Sequence, residues 1–121
     1  MEFNFNSSEP IYRQVADQIR EAILTGSFAE ETQIPSTTEV SKQFHINPAT
    51  VLKGMNLLVD VGLIEKKRGL GMFVTAGAKN RIKQQKRDNF YDDKVAKLVK
   101  EAINLGISAE DLNQMIQRGY E

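Results

Sequence analysis

Ile11, Val15, Ile19, Ala22 and Ile23 recur every three or four residues, which draws one apolar stripe along a helix that opens at Pro10 and stops at Gly26. That helix is for packing. Val40 and Phe44 mark a short second helix, and Val51, Met55 and Leu58 at i, i+4 and i+7, with Gly54 alongside, mark a third whose stripe can close on the second. From residue 63 the period changes. Residues 63–68 and 72–75 are strand candidates joined through Gly69, Leu70 and Gly71, where glycine allows the positive φ of a tight hairpin. Helical spacing returns with Phe90, Val95, Leu98, Val99, Ala102, Ile103 and Leu105 up to Gly106, then with Leu112, Met115 and Ile116. The pattern allows residues 78–105 to be one long helix or two pieces broken near Asn89. At the other end, the alternation of Phe3 and Phe5 predicts an extended arm over residues 1–8 that tucks both rings against the body.

Helix boundaries are written in local chemistry. Ser36 followed three residues later by Glu39 fits a capping box, and Pro35 just before it blocks any earlier start. His45 and Ile46 form a bend. Asn47 then offers a side-chain oxygen to an orphan backbone N–H while Pro48 takes the first helical position, where no N–H is missed. Asp60, Val61 and Gly62 read as the end of that helix. Ser108 with Asp111 repeats the capping arrangement, and Ile107 with Leu112 occupies hydrophobic-staple positions.

Two capped helices with so tight a bend describe a helix-turn-helix, although an ordinary helical hairpin in a small core would show the same pattern. The face of the third helix opposite its apolar stripe carries Ala49, Thr50, Lys53 and Asn56, small, hydrogen-bonding and cationic side chains that can meet base edges and phosphates in a DNA major groove. The hairpin after the pair decides between the readings. Lys66, Lys67 and Arg68 lead into its tip, and a basic hairpin after a helix-turn-helix describes a winged helix that sets cations against a phosphate backbone.

Composition narrows the chemistry. The chain has 121 residues, of which 40% are hydrophobic and 26% charged, which suits one compact core or two small ones. No apolar run approaches the roughly 20 residues of a membrane span and no secretory pattern opens the chain, so a cytoplasmic protein without membrane contact is expected. With no Cys and a single His, neither disulfides nor a metal site is expected, and no cofactor. The Asp92–Asp93 pair, His45 and scattered Ser residues show no nucleophile–base spacing and no phosphate-cradling glycine loop, so no catalytic residue is assigned and an enzyme is not expected. Net charge is zero, yet Lys66, Lys67, Arg68, Lys79, Arg81, Lys83, Lys86 and Arg87 precede Asp88 with no acid among them. A basic block in a neutral chain begins where a DNA-binding appendage would.

These residues resemble the DNA-binding domain of GntR-type bacterial transcription regulators. Pro10-Ile-Tyr-Arg-Gln-Val, Ile34-Pro-Ser, Asn47-Pro-Ala-Thr-Val, Gly62-Leu-Ile and Arg68-Gly-Leu-Gly-Met-Phe-Val match the family's pattern in order over about residues 10–75. Pro10-Ile-Tyr, Asn47-Pro and a very short C-terminal region resemble the YtrA-like branch, which implies a dimer and, often, repression of an ABC-transporter operon. The resemblance implies double-stranded DNA as partner and contacts from Ser36, Thr37 and Thr38, from Asn47, Ala49, Thr50, Leu52 and Lys53, and from Lys67, Arg68 and Gly69 in the wing. The family commonly has Arg where this chain has Thr38 and often where it has Leu52. Two fewer cations weaken the case for the family's usual operator sequence, and leave Lys53 as the clearest charged reader.

The expected architecture is therefore mainly α with a small β-hairpin: a winged helix-turn-helix over residues 1–77, then a helical region over 78–121. Two short helices cannot bury so much apolar surface on themselves. A second copy is the simplest cover, and the expected dimer interface is Phe90, Val95, Leu98, Val99, Ala102, Leu105, Leu112, Met115 and Ile116. Folding back onto the winged domain is the alternative. Two reading heads on one two-fold axis suit a palindromic operator, so the leading expectation is a homodimeric repressor. The competing one is a winged-helix adaptor that binds protein without DNA. No effector is readable from the residues.

Overall fold

The computed structural model describes residues 1–121. Three helices come first: α1 (Ile11–Thr25), α2 (Thr37–Phe44) and α3 (Pro48–Asp60). Strands β1 (Ile64–Lys67) and β2 (Gly71–Val74) follow, then α4 (Ala78–Asp88), a π-helical turn (Tyr91–Val95), α5 (Ala96–Asn104) and α6 (Ala109–Gly119). The chain divides into two compact units, Met1–Lys83 and Gln84–Glu121.

The first unit is held by a core drawn from every element in it. Val15, Ile19 and Ile23 of α1, Val40 of α2, Val51, Met55 and Leu58 of α3, Ile64 of β1 and Val74 of β2 are all buried. Ala78 and Ile82 of α4 belong to the same cluster, so the first turns of α4 are part of this core and the division falls past residue 77, inside the helix. The tightest packing is between α1 and α3. A Cβ built at Gly54 would lie 2.5 Å from the Tyr12 carbonyl oxygen and 2.8 Å from Val15, so the absence of a side chain is what lets the two backbones meet.

The caps follow the chemistry of the sequence. Ser36 Oγ accepts from Glu39 N at 3.1 Å and Glu39 Oε1 accepts from Ser36 N at 3.1 Å, completing the capping box. His45 ends α2 in the left-handed region at φ 55°. Asn47 Oδ1 accepts from Ala49 N at 2.8 Å, with Pro48 opening α3. At its end, Gly62 at φ 76° allows Gly62 N to donate to Val59 O and Leu63 N to Leu58 O, which satisfies two carbonyls the helix would otherwise leave open. Arg81 reinforces this end from α4: its guanidinium donates to Val61 O at 2.6 Å and to Gly62 O at 3.0 Å. One member of the basic block is thus a helix cap.

β1 and β2 form an antiparallel hairpin in the register Ile64↔Val74 to Lys67↔Gly71, with β1 shorter at both ends than the expected 63–68 and β2 starting and ending one residue before the expected 72–75. Residues 31–34 run along the other edge of β2, with Glu31 N to Val74 O, Val74 N to Thr32 O and Ile34 N to Met72 O closing a third, short pairing. The loop before α2 therefore braces the wing.

Two expectations change. Pro10 stands one position outside α1, with ψ 145°, because its carbonyl accepts from Arg13 N and Gln14 N and so serves as the helix cap. In the arm, Phe3 packs edge-on against Phe44 with ring centroids 5.0 Å apart, whereas Phe5 is 62% exposed. The arm turns between them. Buried Gln14 accepts from Asn4 N and donates to Asn4 O and Glu9 O, and that clamp fixes a turn where the alternation suggests a strand.

In the second unit the helical run continues through Asn89, with Asn89 N donating to Gln85 O and Asp93 N to Asn89 O, before one π turn and then α5. Of the two alternatives, one long helix or two pieces broken near Asn89, the run is nearer the first, with a change of pitch at Tyr91–Val95 in place of a break. α5 ends as α3 does: Gly106 at φ 72° lets Gly106 N reach Ile103 O and Ile107 N reach Ala102 O. Ser108 Oγ then accepts from Asp111 N at 3.1 Å to start α6. None of these helices is long and apolar enough to cross a membrane.

Candidate nucleic-acid interface

α3 is amphipathic because its inward residues pack on α1 and α2, and this aims the others outward. Asn47, Ala49, Leu52, Lys53 and Asn56 are exposed and Thr50 is half-buried. Asn47 uses its oxygen in the cap and keeps its amide N–H groups for an acceptor outside. Leu52 is 41% exposed and can meet a thymine methyl.

At the start of α2 the three candidates differ. Thr38 is exposed and free to turn outward. Ser36 is half-buried and already accepts within its capping box. Thr37 points its hydroxyl inward at 3.8 Å from the Met55 sulfur, so its hydrogen bond is spent on the core side.

The wing tip is held from beneath. Gly69 and Gly71 both lie at positive φ, 77° and 122°, and Gln33 donates its amide to the Leu70 carbonyl at 2.6 Å. The φ of Gly71 favours glycine, and a Cβ there would come within 2.6 Å of that same Gln33 nitrogen and push the amide off the Leu70 carbonyl. Arg68 and Gly69 are exposed at the tip. Lys67 is less free: its ammonium lies 3.8 Å from the Glu65 carboxylate and 4.5 Å from the Phe73 ring centroid, which lays the side chain along the sheet.

Sequence reasoning missed Gln33, Tyr12 and Arg13. Lys53 Nζ sits 4.0 Å from the Tyr12 ring centroid, and Arg13 Nε donates to Tyr12 Oη at 3.3 Å, so the N-terminus of α1 joins the cationic face of α3. The apolar spacing of α1 signals its buried side only. Pro10-Ile-Tyr in the family pattern was the available sign that this end of the helix has another task.

Three segments therefore expose hydrogen-bonding and cationic groups: the start of α2, the outer side of α3 and the wing. The profile of bacterial regulatory proteins of the gntR family matches residues 11–74, which spans all of them. The HTH-type transcriptional repressor YtrA of Bacillus subtilis (strain 168) is 31% identical over 111 residues, covering 92% of this chain and 85% of that protein. A transcriptional regulator from Oenococcus oeni superposes with a TM-score of 0.80 at 25% identity, over 100% of this chain and 99% of the other. AraR(DBD) in complex with operator ORX1 superposes with a TM-score of 0.56 at 31% identity, over 61% of this chain and 93% of that one. These relatives are regulators, not enzymes. The chain belongs to the gntR family of bacterial regulatory proteins, and it is a winged-helix, DNA-binding transcription regulator.

Proposed function

We propose that this regulator acts in the cytoplasm as a homodimeric repressor, with the winged unit of each copy on one half of a palindromic operator. The observation that carries the reading is the uncovered apolar surface of residues 84–121. Phe90, Leu98, Val99, Leu105, Met115 and Ile116 stand between 40% and 69% exposed, a patch that water penalises and a second copy can cover. Val95 and Leu112 are half-buried and would lie at its margin, while Ala102, only 5% exposed, is already occupied within its own chain. Repression is supported by the YtrA relative, itself a transcriptional repressor, and an ABC-transporter operon as target by the resemblance to that branch. In this reading Thr38, Asn47, Ala49, Thr50, Leu52 and Lys53 face the bases or phosphates, and Arg68 with Gly69 brings the wing to the backbone.

Selection of duplexes from a random pool tests it. An inverted repeat should be enriched, with half-sites about one helical turn or a multiple apart, and its affinity should fall steeply with salt. An asymmetric single site, or no enrichment, would overturn the palindromic reading. Leu98→Asp should give a monomer in sedimentation and weaken binding to the enriched duplex by at least about tenfold, because linked half-sites gain from effective concentration. A surviving dimer would place the interface elsewhere.

A further inference from the structure

We infer that Tyr12 is a positioning residue for DNA binding: its ring holds the Lys53 ammonium at the outer side of α3, ready for a phosphate oxygen or a guanine. The inference rests on Lys53 meeting DNA, as proposed above. Lys53 Nζ lies 4.0 Å from the ring centroid, and Lys53 is exposed while Tyr12 is half-buried. Half-burial matters because it stops the ring from following the ammonium about. The ring is anchored and the lysine comes to it.

The geometry is set by the neighbouring residue. Gly54 is where α3 meets the backbone of α1, with the Tyr12 carbonyl oxygen 2.5 Å from any Cβ placed there. Lys53 immediately precedes Gly54, so the close crossing delivers its side chain onto the ring of the residue whose carbonyl lies against Gly54. A lysine stem has many rotamers, and ordering it only when DNA arrives would cost conformational entropy at that moment. Ordering it beforehand lowers that cost.

A ring suits this task better than a carboxylate would. It attracts the cation through its face without neutralising it, and the ammonium keeps N–H donors for an oxygen or nitrogen acceptor. Lys67 in the wing shows the contrast, with its ammonium 3.8 Å from Glu65 as a competing partner. Tyr12 also gathers a second cation: Arg13 Cζ is 5.6 Å from the ring centroid and Arg13 Nε donates to the hydroxyl at 3.3 Å.

The test uses the full chain and mixed-sequence duplex DNA at low salt, read by fluorescence anisotropy, with Tyr12→Phe, Tyr12→Leu, Lys53→Met and the Leu/Met double variant. Tyr12→Phe keeps the ring and should bind as the wild type does. Tyr12→Leu should weaken binding about two- to fivefold, the range of an exposed cation–π contact. The same change made in the Lys53→Met background should cost nothing further. Lys53→Met should also lower the slope of log affinity against log salt by about one, whereas Tyr12→Leu, which keeps the charge, should leave it alone. Equal losses from Tyr12→Leu with and without Lys53, or an equal loss from Tyr12→Phe, would overturn the pairing while leaving Lys53 at the DNA. If Lys53→Met binds as the wild type does, the placement of Lys53 on DNA fails and the positioning role fails with it. Should Tyr12→Leu not fold, the wild-type chain still answers, because ring current from Tyr12 must shift the Lys53 ε-methylene protons upfield in NMR. Unshifted protons there would overturn the contact.

Discussion

Reversing two charges, Lys53→Glu with Arg68→Glu, is expected to weaken binding to duplex DNA by about a hundredfold, since a hydrogen bond to a charged group is worth about 1.5–3 kcal/mol and each 1.4 kcal/mol is a factor of ten. The fold should hardly notice. Both side chains are exposed, and Arg68 has no ion-pair partner within the chain. Lys53 gives up only its contact with Tyr12, worth about 0.5–1 kcal/mol at a surface. The measurements are anisotropy titration across a salt series, where the log–log slope should fall by about two, and thermal melting, which should stay near the wild-type value. A double variant that binds at wild-type strength would move the interface away from α3 and the wing together. One that melts early would instead mean that these residues hold the fold.

Gly54→Ala should destabilise the winged unit by about 1–3 kcal/mol, the range seen when methyl groups are forced into filled cores. For a unit of this size that is a fall in Tm of about 10 °C. The reason is the character of what the new methyl meets. The Tyr12 carbonyl oxygen at 2.5 Å is backbone and cannot swing aside, and Val15 at 2.8 Å is fully buried. α1 and α3 would have to part, and Lys53 would leave the ring as they did. Gly26→Ala is the control. Gly26 sits at φ 87° with nothing within 4 Å, so it should lose only the left-handed preference of glycine, about 1 kcal/mol. Circular dichroism melts of the two variants separate close approach from backbone strain. Equal losses would refute the account of the crossing.

Much of the fold was legible because its decisive interactions are short in sequence. Ser36 with Glu39, Asn47 with Pro48 and Gly62 after Asp60 each settle a helix boundary within four residues, and each stands as expected. The hairpin was legible for the same reason, through Gly69 and Gly71. Features that depend on distant partners were not. Nothing local in residues 31–34 announces that they will brace β2, since their pairing depends on where the wing folds back. Ala78 and Ile82 lie among cations, and their membership of the core could not be separated from a solvated helix. Arg81 looked like one more positive charge, yet the carbonyls it serves belong to the end of α3.

The same distinction holds at the side proposed to face DNA. Residue types placed Lys53 and Asn47 outside, where both are exposed, because the inward stripe of α3 leaves them no other direction, while Thr50 lies half-buried at its margin. The inward turn of Thr37 toward Met55 was invisible, since a capped first turn looks alike whichever way its hydroxyl rotates. Tyr12 was hidden by the length of chain between it and Lys53.

The π turn at Tyr91–Val95 has a genetic corollary. A turn of this kind holds one amino acid more than its α-helical equivalent, so it is what a single inserted codon leaves behind when the surrounding hydrogen bonds are worth keeping. Since each residue of an α-helix advances the azimuth by about 100°, an extra residue at uniform pitch would swing everything downstream by that angle, and the wider turn takes up most of the rotation instead. Removing one codon from this segment would let the backbone relax into uniform pitch while Leu98 and Val99 keep nearly their present bearing relative to Phe90. A codon gained or lost here is therefore absorbed by the width of the turn, whereas the same change inside α5 would rotate its apolar side away, so chain length can vary at this point without disturbing the face that the proposed dimer uses.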